Sequence, residues 1–140
     1  MKRIVFTMAL VFLLSGCVNM TFDEFRMQNR QNLMRLSVGM TKQQALDVMG
    51  TGEYKLGRWK DSSVEATLNN PYKSETLQGK DKTFEVLYYY TDKKRALFPV
   101  QEFSITDDEL TPLVFDEGKL IGWGWGFLEQ NVQKYEIRVR

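Results

Sequence analysis

Residues 36–51 read Leu-Ser-Val-Gly-Met-Thr-Lys-Gln-Gln-Ala-Leu-Asp-Val-Met-Gly-Thr. Val38-Gly39-Met40 interrupts any preceding helix. Thr41-Lys42-Gln43-Gln44 then fits a capping box, in which the Thr41 hydroxyl meets the Gln44 amide and the Gln44 side chain returns to Thr41. Ala45, Leu46, Val48 and Met49 supply a buried face at helical spacing. Gly50 stands where a helix C-terminus favours a left-handed residue. A helix of only about ten residues draws its stability from packing, so the residues around it must supply a surface.

That surface follows it. From Gly52 the period changes to two: Tyr54, Leu56 and Arg58 alternate with Lys55, Gly57 and Trp59, which predicts a first strand. Asp61–Lys82 holds Asn69-Asn70-Pro71, Gln78-Gly79 and Lys80-Asp81 and reads as a long polar loop, with room for a short strand near Ala66–Leu68. Phe84–Tyr90 is the clearest strand, with Phe84, Val86, Tyr88 and Tyr90 on one face and Glu85, Leu87 and Tyr89 on the other. Asp92–Arg95 is a charged turn, and Pro99 confines Ala96–Ile105 to an edge or a bent loop. Leu113–Phe115 and Leu120–Trp125 flank Asp116-Glu117-Gly118-Lys119 as a hairpin. Phe127–Lys134 suits two helical turns, and Tyr135, Ile137 and Val139 alternate with Glu136, Arg138 and Arg140 as a half-exposed last strand.

Upstream, Asp23–Leu36 reads as a first helix. Thr21 is its expected cap, and Asp23 and Glu24 sit in the first turn, where the dipole favours acids. Phe22, Phe25, Leu33 and Leu36 share a face that Asn29 interrupts, while Arg26, Arg30 and Arg35 read as a solvated face. The predicted class is α+β: two N-terminal helices packed on an antiparallel sheet of three or four strands, in one domain over residues 23–140.

The first residues carry a different message. Lys2 and Arg3 form a basic end, and Ile4–Leu14 is apolar apart from Thr7. A bilayer needs about 20 apolar helical residues to be crossed, so this run fits the apolar region of a signal peptide instead. Leu14-Ser15-Gly16-Cys17 resembles the bacterial lipobox, and Cys17 is the only cysteine of the chain. The resemblance implies a signal peptide over 1–16, lipidation of Cys17 and a tether over 17–22. The same resemblance implies that Val18, next after Cys17, permits export to the outer membrane in enteric-type bacteria.

Composition removes several classes of function. The 140 residues include no His, which excludes every Ser-His and Cys-His nucleophile pair and the commonest metal ligand. One Cys excludes an internal disulfide. With 19 Lys and Arg against 18 Asp and Glu, the chain lacks the basic surplus of a nucleic-acid binder. Composition and motifs point to no cofactor and no metal.

Gly39, Met40, Thr41, Lys42, Gln43, Gly50 and Thr51, with Phe115, Gly118 and Leu120 further on, resemble the SmpA/OmlA (BamE-like) superfamily of outer-membrane lipoproteins. The resemblance implies two helices followed by an antiparallel sheet, and a place on the periplasmic face of the outer membrane. Thr21-Phe22-Asp23-Glu24-Phe25 departs from the family's segment after the lipidated Cys, so no partner-binding residues carry over. The expected function is a non-enzymatic accessory or scaffold in envelope assembly or maintenance with an envelope protein as partner. The alternative is a periplasmic protein-binding, inhibitor-like module.

No group of side chains stands out as catalytic. Asp23-Glu24, Asp107-Asp108-Glu109 and Asp116-Glu117 fall at helix starts or turns, where solvated acids are expected. Gly122-Trp123-Gly124-Trp125-Gly126 lacks the spacing of a phosphate loop. Read as a strand, it puts Trp123 and Trp125 on one face and leaves the glycine face bare for close packing. Those two rings are either core or, with Tyr89 and its neighbours Tyr88 and Tyr90, an exposed aromatic platform for a partner. The seven Met residues all lie at or before Met49 and read as gap-filling core or as an adaptable contact surface.

Overall fold

The computed structural model describes residues 20–57, 66–93 and 105–134. The lipobox with Cys17, the segment Ala96–Ser104 and the alternating tail Tyr135–Arg140 lie outside them.

Thr41 caps as its spacing predicts. Its hydroxyl accepts from the Gln44 amide at 3.2 Å and its own amide donates to Gln44 Oε1 at 2.9 Å, which starts helix α2 (Lys42–Met49). Thr21 builds the same box with Glu24 at the start of helix α1 (Phe22–Leu33). The hydrogen bonds from the Thr21 amide and hydroxyl hold the Glu24 carboxyl below the usual carboxylate range. That support is present at neutral pH and is lost as pH falls through the lowered value. Replacing Thr41 by Ala is expected to cost about 1 kcal/mol in a urea melt with the slope unchanged, the range for loss of an N-cap. An unaltered midpoint would show that the cap contributes nothing.

Two sheets follow. The first joins β1 (Met20–Thr21), β2 (Gly52–Gly57) and β3 (Ala66–Asn70) in that order, with β1 parallel to β2 and β3 antiparallel to it. The second is antiparallel, in the order β4 (Lys73–Gln78), β5 (Thr83–Tyr90), β6 (Leu110–Asp116), β7 (Lys119–Trp123). Helix α3 (Trp125–Lys134) closes the described chain. The class is the predicted α+β, with helices first.

Strand β5 holds the fold together because both its faces are core. Phe84, Val86, Tyr88 and Tyr90 meet Phe22 and Phe25 of α1 and Leu128 of α3. Leu87 and Tyr89 meet Leu36, Ala45 and Met49 from the α2 side, with Leu113, Phe115 and Leu120. A polar seam crosses this interior. Asn29 donates to the Tyr90 carbonyl at 2.8 Å, and Asn70 donates to Asn29 Oδ1 at 3.0 Å and to the Met49 carbonyl at 3.1 Å. Asn29, which interrupts the apolar stripe in sequence, thus stitches α1 to β5 and to the end of β3.

Several expectations are corrected. The segment read as a long loop with room for a short strand near Ala66–Leu68 contains that strand, as part of β3, and a second one, β4. Each has a single buried Leu, Leu68 or Leu77, too weak a pattern to register as periodic. The tether ends earlier than Phe22, since Met20–Thr21 is already strand and Phe22 already helix. Arg26 is not on a solvated face: it is 3% exposed, donates to the Tyr90 hydroxyl at 2.7 Å and pairs with Asp23.

The hairpin between β6 and β7 turns on Glu117 (φ 48°) and Gly118 (φ 76°). Two successive positive φ values suit the right-handed twist of the strands. Pairing then slips by one residue: Phe115 faces Leu120, but Val114 faces Gly122. Leu120 and Trp123, three residues apart, therefore pack into the same side of the sheet.

Candidate functional site

The bulge at Ile121 and the turn at Gly124 (φ 91°) decide where the tryptophans go. Strand β7 stops at Trp123, so Trp123 and Trp125 do not share a strand face as the sequence suggested. Trp123 packs among the residues on the α2 side, whereas Trp125 begins α3 on the opposite side. Tyr89 is 0% exposed and lies in the α2-side core. The three expected platform residues are thus split between two faces, and none is an exposed ring. The physical reason is that helices cover both faces of the second sheet.

The bare glycine expected in this segment does admit a close neighbour. A Cβ at Gly122 would lie 2.6 Å from the Phe127 ring of α3. This approach lays α3 across β6 and β7 and leaves a groove between its outer side and β4. The groove has a volume of about 380 Å³. Its walls are Leu77 from β4, Tyr88 from β5, and Trp125, Leu128 and Val132 along one stripe of α3. The Trp125 indole is fixed by donating to the Leu110 carbonyl at 2.7 Å, and its ring centroid lies 5.8 Å from that of Tyr88.

The polar rim is paired internally. Lys73 Nζ lies 2.8 Å from Asp107 and 3.2 Å from Glu75, and 4.6 Å from the centroid of the Tyr88 ring. The Tyr88 hydroxyl donates to Glu75 at 3.0 Å. Partial burial disfavours the charged form of Lys73, but its bonds to Asp107 and Glu75 outweigh this and hold the amine above its ordinary range. Burial, with the Glu75 carboxylate beside it, pushes the Tyr88 hydroxyl up. Lys73 therefore stays charged and Tyr88 neutral through the physiological range. With Glu129 on the far wall, three carboxylates face one amine. The groove thus has an apolar floor and a net negative rim.

Sequence reading missed this site. Its signals were Lys73-x-Glu75-x-Leu77 on one side of a strand and Trp125, Leu128 and Val132 at helical spacing, each ordinary by itself. The acidic clusters singled out earlier have structural work. Asp23 pairs with Arg26, Asp107 with Lys73 and Asp116 with Lys82. Among the described residues, no group of three or more acidic or Cys side chains is placed to hold a metal ion.

Neither a curated protein nor a solved structure matches the chain. A family defined as "protein of unknown function (DUF3192)" matches residues 8–130, a stretch that takes in Leu14–Cys17, the seven strands of the described residues and the first half of α3. That span covers most of the sequence, and the chain belongs to the DUF3192 family.

Proposed function

We propose that this chain is an outer-membrane-anchored lipoprotein, held to the periplasmic face by a lipid on Cys17. In this reading it serves as a non-enzymatic accessory or scaffold in envelope assembly or maintenance. The groove between β4 and α3 holds its partner. The observation that carries the reading is the pairing of a lipobox, Leu14–Cys17, with an aromatic-walled groove whose one amine, Lys73, is already held by Glu75 and Asp107. A rim of that kind positions a visitor, while the apolar floor supplies the binding free energy. The net negative rim favours a partner segment with apolar side chains and a basic residue near them. The likeness to the SmpA/OmlA superfamily supports the same location.

The anchor and the partner are tested together in cells. Cys17→Ala should abolish fatty-acid labelling and leave unprocessed precursor, and equal labelling of the two forms would end the lipoprotein reading. A photocrosslinking amino acid at Glu129, on the groove wall, should capture an envelope protein. Adding Trp125→Ala should cut that capture about tenfold, the loss expected of an aromatic anchor. Capture of a soluble periplasmic enzyme would favour the inhibitor-like alternative. Capture unaffected by Trp125→Ala would show that the groove is not the contact.

A further inference from the structure

Among the described residues, the large hydrophobic side chains left exposed are Met27 (48%), Met34 (79%) and Val38 (66%). They are not scattered. Met27 and Met34 are seven residues apart, two helical turns, and so lie above one another on the outer side of α1. Val38 lies four residues further on, beyond the end of α1. Arg30 lies between the two methionines and Arg35 beside the second, and neither has an ion-pair partner among the described residues. The acids of the first turn are already engaged, Asp23 with Arg26 and Glu24 in the cap. The outer side of α1 thus presents apolar side chains with unpaired cations next to them.

The position of the anchor gives this surface an occupant. Two residues, Val18 and Asn19, lie between Cys17 and Met20, so the two α-carbons lie at most about 11 Å apart. Met20 and Thr21 are pinned beside Leu56 and Gly57. From Thr21, α1 runs antiparallel to β2: Asn29 reaches Asn70, the pairing partner of Gly52, and Asn32 reaches the Met49 carbonyl. Traced back from Thr21 to Met20, β1 points toward the end of β2 to which α1 runs. A lipid on Cys17 would bring β1, and the start of α1 that follows it, within a short reach of the bilayer.

We infer that the outer side of α1 lies against the phospholipid surface, with Met27 and Met34 set among the headgroups and Arg30 and Arg35 on their phosphates. The inference rests on the anchored reading above and deepens it, because it fixes how the domain stands on the membrane. Short apolar side chains flanked by arginines are the pattern by which an interfacial helix reads an anionic lipid surface.

The sole Cys makes the test direct. In the full chain, processed and acylated, Cys17 carries lipid, and one added cysteine becomes the only free thiol. Met34→Cys, Met27→Cys and, for comparison, Lys80→Cys in the β4–β5 turn are labelled with an environment-sensitive fluorophore. Each is placed in phosphatidylethanolamine–phosphatidylglycerol vesicles containing a headgroup-proximal nitroxide lipid. Fluorescence at positions 34 and 27 should fall about twofold more than at position 80. Equal quenching at all three positions in chains that float with the vesicles would overturn the inference and leave the anchor standing. If wild-type Cys17 reacts with maleimide and the chain does not float, the anchored reading fails and takes this inference with it.

Discussion

Tyr89→Ala will lower the unfolding free energy of a chain beginning at Val18 by about 4 kcal/mol, the cost of truncating a fully buried large aromatic. Tyr89→Phe will do the opposite of what its chemistry suggests. The Tyr89 hydroxyl is buried and has no hydrogen-bond partner among the described residues. Removing it relieves the desolvation of a polar group, so the Phe form should equal the wild type or exceed it by about 1 kcal/mol. Burial also pushes this hydroxyl's pKa up. Tyr89 therefore supports the fold below the pKa of an unfolded tyrosine, and its contribution drains away as pH rises above that. The Phe form should lose less stability at alkaline pH. A Phe variant weaker than wild type by more than about 1 kcal/mol would mean that the hydroxyl is satisfied.

The second large effect is expected at Asn70. Its amide nitrogen serves Asn29 Oδ1, the Met49 carbonyl and the Gly50 carbonyl, at 3.0, 3.1 and 3.3 Å. Asn70→Ala strips partners from acceptors in α1 and at the end of α2 at once and should cost about 3 kcal/mol by chemical denaturation. Asn70→Asp keeps the volume but replaces the donor with a carboxylate that faces those same oxygens. Burial against acceptors raises a carboxyl pKa, so the Asp variant should regain stability as pH falls and lose it as pH rises. A pH-independent deficit for Asn70→Asp would show that the pocket opens to water. Asn29→Ala should cost a similar amount, and the double variant less than the sum, since the two side chains bond each other.

These two sites also show what a linear reading of the chain captures. The Thr41–Gln44 capping box, the Thr21 cap, the alternation of Phe84–Tyr90 and the hairpin around Gly118 were legible because each is a local rule: a side chain bonding three residues away, a period of two, a turn that needs positive φ. Asn29 was visible only as a flaw in an apolar stripe. Its meaning lies in Asn70 and Tyr90, 41 and 61 residues distant. Arg26 misled for the same reason, since a charged residue on a helix is solvated unless a remote partner such as Tyr90 accepts it. Strand β3 showed only as a short strand near Ala66–Leu68 and β4 not at all, because each offers one buried leucine. The groove was hidden because it joins β4 to α3, about fifty residues later, and no local pattern records that meeting. The Trp segment failed through a single inserted residue. The slip at Ile121 reassigns every side chain after it, and alternation cannot anticipate a bulge.

Strand β5 has a consequence for how the molecule opens. Its odd and even side chains belong to different cores, so neither core can come apart while the other stays closed. The backbone amides of Val86–Tyr89 are hydrogen-bonded between β4 and β6 and lie between two packed layers. Their exchange with solvent deuterium must wait for the whole domain to unfold, while the two-residue ladder of β1 opens at little cost. Force or fluctuation arriving through the N-terminus is thus absorbed at a breakable edge, and the cooperative unit behind it stays intact.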